Sequence, residues 1–112
     1  MSKHSARCHW IIERVTALAL VPLCLWFIIN LVSAVGAEAA TATTFLQQPV
    51  NSVVMAALII IGFWHMALGV GVVIEDYVHD TKKQKSFICL VKLVCALLAV
   101  TSLAAIAKIA LA

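Results

Sequence analysis

The sequence predicts an all-α integral membrane protein of three spanning helices, and three observations carry that expectation. Hydrophobic residues make up 64% of the 112 positions and charged residues only 12%, well outside the balance of a water-soluble globular domain. Two stretches free of charge, between Arg14 and Glu38 and between Glu38 and Glu75, each exceed the roughly 20 residues that a helix needs to cross a bilayer. Six of the eight basic residues gather in two short segments that flank such stretches, Lys3, Arg7 and Arg14 in one and Lys82, Lys83 and Lys85 in the other. A net charge of +3 distributed in this way marks membrane boundaries and gives no nucleic-acid signal.

The first spanning helix is expected at about 12–36. Its 23 uncharged residues exceed the roughly 7 to 15 of a cleavable signal core, so the reading is a retained span. A polar turn rich in Thr and Gln follows, about Gly36 to Pro49, and Pro49 suits the first turn of a helix. The second helix is expected at about 50–77 and the third at about 86–111. Lys92 and Lys108 lie near the two ends of the third, where their stems snorkel to the headgroups. The three spans use most of residues 1–112, which form a single membrane domain, and any chemistry must sit between helices, at the membrane surface or on a partner. Under the positive-inside rule the arrangement is up-down-up, with the amino terminus inside and the carboxyl terminus outside.

The four cysteines, Cys8, Cys24, Cys89 and Cys95, form neither a CxxC pair nor a CxxCH sequence. They read as free thiols used as small apolar fillers, and a haem in this chain would be held without covalent bonds.

His65 is the one histidine deep within a span. It precedes Asp76 by eleven residues, about 16 Å of helix rise, which puts it near the middle of a hydrocarbon layer about 30 Å thick. An ionisable ring there needs a partner: an interhelical hydrogen bond, a cofactor or a proton relay. Gly62, Gly69, Val72 and Asp76 share the face of His65. Two glycines beside an imidazole either open a flat recess for a planar macrocycle or let another helix approach closely. A six-coordinate haem needs two axial ligands. His4, His9 and His79 lie at or beyond the inner boundary, so a second ligand would have to come from another polypeptide. Arg14, Glu75, Asp76 and Tyr77 are expected to share the level of the inner boundary. There they would serve as interfacial anchors, with Asp76 paired to Arg14 or a lysine, or would form a polar pocket in which Tyr77 donates to a quinone carbonyl.

Two segments carry a family resemblance. His9-Trp10-Ile11-Ile12-Glu13-Arg14-Val15-Thr16-Ala17, continued by Leu18-Ala19-Leu20-Val21-Pro22-Leu23, resembles the start of the hydrophobic membrane anchor of bacterial succinate dehydrogenase. His65-Met66-Ala67-Leu68-Gly69-Val70-Gly71-Val72-Val73-Ile74-Glu75-Asp76-Tyr77 is similar to that subunit's haem-ligand helix, in which a histidine precedes an Asp-Tyr pair by eleven residues. The resemblance covers essentially the whole chain and points to the smaller of two anchors. It implies His65 as an axial ligand of haem b, Tyr77 as a hydrogen-bond donor to ubiquinone, Asp76 as part of the quinone site, and Arg14 near the haem propionates and the quinone. Glu13 departs from the glutamine expected there, which bears on the charge balance around Arg14; the resemblance assigns no role to His9.

The implied partners are a second, cytochrome b anchor that supplies the other haem histidine, an iron-sulfur subunit and a flavoprotein that carries FAD, all at a bacterial inner membrane, with the mitochondrial inner membrane as the alternative. The chain would not be a catalyst alone. Competing readings are the larger anchor subunit, the anchor of a fumarate reductase, a structural or assembly membrane protein without a cofactor, and a small transporter in which His65 is proton-coupled and Asn30 and Asn51 supply further polarity.

Overall fold

In the computed structural model, which describes residues 3–112, the chain is a bundle of four helices: α1 Lys3–Ser33, α2 Ala39–Gln47, α3 Pro49–Tyr77 and α4 Thr81–Ala110. Helices α1, α3 and α4 are the three long enough and apolar enough to cross a membrane, with mean hydropathies of 2.4, 2.3 and 2.4 over their most apolar stretches. Helix α3 lies in the middle and packs against both α1 and α4, whereas the backbones of α1 and α4 nowhere come within 8 Å of each other. The bundle measures 49 × 24 × 24 Å, so its long axis exceeds a hydrocarbon layer of about 30 Å and the helix ends project beyond it.

Two expected boundaries shift. Helix α1 begins at Lys3 rather than near 12, and α4 at Thr81 rather than near 86. Hydropathy marks where lipid ends, but helical hydrogen bonding continues into water wherever the residues allow it. At α4 the cause is explicit. Asp80 caps the helix, its Oδ1 accepting from the backbone N–H groups of Lys82 at 2.9 Å and Lys83 at 3.4 Å, so the basic segment becomes the first turn. Gln84 then ties α4 to the end of α3, its amide donating to the carbonyls of Val78 at 3.1 Å and Glu75 at 3.3 Å. The connection Val78–Asp80 is only three residues long, which forces α3 and α4 to run antiparallel as neighbours.

The turn expected between the first two spans contains a helix instead. Gly36 leaves α1 with a φ of +82°, a conformation that favours glycine, and α2 follows from Ala39. Helix α2 forms because alanines and Leu46 favour helix and its apolar side has something to cover: Phe45 packs on Trp26 of α1 with ring centroids 5.8 Å apart. Asn51 donates to the Phe45 carbonyl at 3.1 Å and to Gln48 Oε1 at 3.0 Å, and the Ser52 hydroxyl donates to the Leu46 carbonyl. These bonds satisfy the last carbonyls of α2 before Pro49 opens α3.

Polar side chains in the spans are satisfied locally. Asn30 donates to the Trp26 carbonyl, Ser33 to Ile29, Thr101 to Leu97 and Ser102 to Leu98, each one turn back. Helix α1 tolerates Pro22, which has no N–H to offer the Leu18 carbonyl. Among the described residues only Thr16, Gly71 and Cys95 are buried. Large apolar side chains such as Leu18, Val21, Leu25, Val53, Leu97 and Val100 point outward along all three spans. In water this distribution would not fold; in lipid, or against another membrane helix, those side chains meet an apolar neighbour.

Candidate functional site

The histidine within the spans faces α1. Thr16 Oγ1 lies 2.8 Å from His65 Nδ1, and Thr16 is 5% exposed, one of the few residues sealed between helices. The same hydroxyl oxygen is 2.7 Å from the Ile12 carbonyl oxygen and 3.1 Å from that of Glu13. One turn further along the same contact, a Cβ built on Gly62 would sit 3.9 Å from Leu20 Cδ2, so α1 approaches α3 over this glycine. At Gly69, on the other side of His65, a Cβ would meet nothing within 4 Å. The two glycines that share the face of His65 thus differ in surroundings: Gly62 lies under α1, where a Cβ would make ordinary van der Waals contact with Leu20, and Gly69 borders open space one turn from His65.

The pairings Thr16 with His65 and Leu20 with Gly62 fix the register of α1 against the antiparallel α3. This register corrects the expectation that Arg14 shares a level with Asp76 and Tyr77. Arg14 is two residues from Thr16, about 3 Å of rise, whereas Asp76 is eleven residues from His65, about 16 Å, so their backbones are separated by about 13 Å along the bundle. The first helix extends further past Arg14 toward the amino terminus than its charges suggested, because the segment before Arg14 is helix. The Arg14 side chain recovers part of the distance by turning back toward the amino end of α1, where its guanidinium lies over the Trp10 ring at 5.3 Å from the centroid. The anticipated Asp76 ion pair with Arg14 or a lysine is not made: among the described residues no basic group lies within 4 Å of Asp76. His9 instead sits beside Glu13, Nδ1 to Oε1 3.9 Å, one turn apart on α1.

Asp76 and Tyr77 close α3 and are exposed, Tyr77 at 80%. The Tyr77 hydroxyl makes no hydrogen bond within the described chain, so it is free to meet a ligand or another subunit. All four cysteines are free thiols, Cys95 buried and the others exposed. No group of three or more His, Cys, Asp or Glu capable of holding a metal ion occurs among the described residues. Asn30 and Asn51 both direct their amide nitrogens to nearby carbonyls, those of Trp26 and Phe45.

Thr16 is the site residue that sequence reasoning missed. In the sequence it is one of several threonines and serines able to bond one turn back, and only the register of α1 on α3 distinguishes it.

Three apolar spans, little buried interior, and one imidazole held between two of them define an all-helical membrane protein. Comparison with known proteins makes this specific. The chain belongs to the family described as succinate dehydrogenase/fumarate reductase transmembrane subunit, whose model matches residues 1–104. It is 31% identical over 105 residues to the succinate dehydrogenase hydrophobic membrane anchor subunit of Rickettsia typhi, covering 94% of this chain and 84% of the relative. The subunit of the same name from Rickettsia prowazekii is 32% identical over 98 residues, covering 88% and 78%. The succinate dehydrogenase membrane anchor subunit of Reclinomonas americana is 30% identical over 93 residues, covering 80% and 78%. No solved structure matches the chain.

Proposed function

We propose that this chain is the smaller of two membrane anchors of a succinate dehydrogenase, where it helps to bind haem b and ubiquinone and tethers the iron-sulfur and flavoprotein subunits to a bacterial inner membrane. The observation that carries the haem reading is the state of His65: an imidazole deep in an apolar bundle, engaged through Nδ1 by Thr16, with its other ring nitrogen uncommitted. A metal-bound histidine has this arrangement, one nitrogen on the metal and the other in a hydrogen bond that fixes the ring. The open space over Gly69, one turn from His65, leaves room for a flat ring, and the Arg14 guanidinium, on the amino-terminal side of Thr16, would offset the charge of ring carboxylates. Haem b, when bound, stores and returns one electron. A second histidine for the haem would come from the partner anchor, since His4, His9 and His79 lie toward the ends of the helices, away from the level of His65.

Ubiquinone reduction consumes two electrons and two protons. The electrons arrive from the succinate-oxidising subunits; residues of this chain hold the quinone head and supply protons at the inner surface. Tyr77 donates its phenolic hydrogen bond to a quinone carbonyl, and Asp76, its exposed neighbour, lies at the boundary where protons enter from water. The exposure of both residues fits a pocket completed by the partner anchor and the iron-sulfur subunit. The basic segments before Arg14 and after Asp80 support an inner amino terminus and an outer carboxyl terminus.

The test is purification in mild detergent, with identification of the co-purifying chains and a pyridine haemochrome spectrum. Three partner chains with b-type haem are expected. A chain that purifies without haem or those partners would favour a cofactor-free structural or assembly protein.

A further inference from the structure

The hydroxyl of Thr16 has one proton and three neighbours. The carbonyl oxygens of Ile12, at 2.7 Å, and Glu13, at 3.1 Å, can only accept. Two oxygens 2.7 Å apart need a hydrogen between them, and only the hydroxyl can supply it, so its proton is committed to the backbone of α1. Toward His65 the hydroxyl can then only accept. The 2.8 Å contact with Nδ1 is a hydrogen bond only if Nδ1 carries the proton, and a neutral imidazole protonated at Nδ1 has its lone pair at Nε2. Thr16 is 5% exposed, so water does not compete for these bonds, and no other donor or acceptor of the described chain reaches Nδ1.

We propose that Thr16 is a positioning residue for His65: through a hydroxyl already committed to the Ile12 carbonyl it accepts from Nδ1–H, selects the tautomer with Nε2 unprotonated, and holds the ring at one rotation, ready for iron. The proposal rests on the haem reading of His65 and extends it to a residue that touches neither iron nor quinone. The backbone of α1 is thereby part of the ligand's support, because the threonine acts as a relay from Ile12 to the imidazole. A serine keeps the relay. A valine, nearly the same shape, breaks it without opening a cavity.

Three variants of the assembled complex, Thr16→Val, Thr16→Ser and His65→Ala, are compared for haem-to-protein ratio, the low-spin signal in electron paramagnetic resonance, and carbon monoxide binding by the reduced haem. The full-length chain in lipid, labelled with nitrogen-15 at histidine, reports the tautomer independently. In the native chain the resonances should show Nδ1 protonated and Nε2 bare. Thr16→Val should lose that preference, weaken haem retention roughly 10- to 100-fold, as loss of an outer partner of a metal-bound histidine does, and admit carbon monoxide. Thr16→Ser should restore all three properties. A Thr16→Val complex with unchanged tautomer, low-spin signal and retention would overturn the proposal, as would a Thr16→Ser complex no better than Thr16→Val. If His65→Ala keeps a six-coordinate haem, the haem reading fails and the role toward iron fails with it; the nitrogen-15 spectra then still report whether Thr16 sets the tautomer.

Discussion

Removing the Tyr77 hydroxyl separates a role in quinone chemistry from a role in folding, because the structure gives that hydroxyl nothing to do within the chain. Tyr77 is 80% exposed at the last turn of α3 and makes no hydrogen bond among the described residues. In Tyr77→Phe the ring stays and no buried partner is left unsatisfied, so the stability of this subunit should change by no more than about 0.5 kcal/mol, the usual range for a surface substitution. Toward the quinone the account differs. A neutral hydrogen bond contributes about 0.5 to 1.5 kcal/mol net, which at room temperature is about 2- to 13-fold in affinity or in transition-state stabilisation. Two assays on one preparation read the difference: succinate oxidation with an artificial acceptor that takes electrons from the soluble subunits, and reduction of ubiquinone. The first should stay at the native level and the second should fall within that range, with haem content unchanged. Equal losses in both assays would show that Tyr77 supports assembly, and no loss in either would leave it an interfacial anchor with the quinone pocket elsewhere.

Asp80→Ala should release the first turn of α4. Loss of a helix cap costs about 1 kcal/mol, so the amides of Lys82 and Lys83 should exchange hydrogen about fivefold faster, while unchanged exchange would show that Gln84 alone holds this end. A reporter fused after Ala112 should signal the outer compartment, since six basic residues mark the inner ends and the connection between the first two spans has none. A cytoplasmic signal from that fusion would contradict the proposed orientation.

The spans were legible because lipid imposes a simple rule. About twenty apolar residues suffice, and every polar group within them must find a bond, which Asn30, Ser33, Thr101 and Ser102 do with carbonyls of their own helix. His65 stood out by the same rule, as the one ionisable ring at depth. Helix ends were less legible, since hydropathy stops at the lipid boundary and the helix does not: Lys3 to Ile11 and Thr81 to Lys85 are helical beyond the boundaries drawn from apolar runs. Helix α2 was hidden by its threonines and glutamine, which read as a turn until Phe45 has Trp26 to pack on. What one sequence could not supply was register. Whether position 16 or position 12 of α1 meets His65 depends on how two helices slide along each other, and that choice decides both the role of Thr16 and the height of Arg14. In the register found, Thr16 meets His65 and Leu20 lies over Gly62.

The central claim is that His65 gives its uncommitted nitrogen to haem iron while another chain supplies the opposite ligand. Low-temperature electron paramagnetic resonance of the purified His65→Ala complex tests it most directly, read beside the native complex and normalised to the iron-sulfur signals of the partner subunit. The account predicts that the low-spin, bis-histidine haem signal of the native complex disappears, leaving either no haem or a five-coordinate high-spin form, while the iron-sulfur signals persist. An unchanged low-spin signal at full haem content would contradict it.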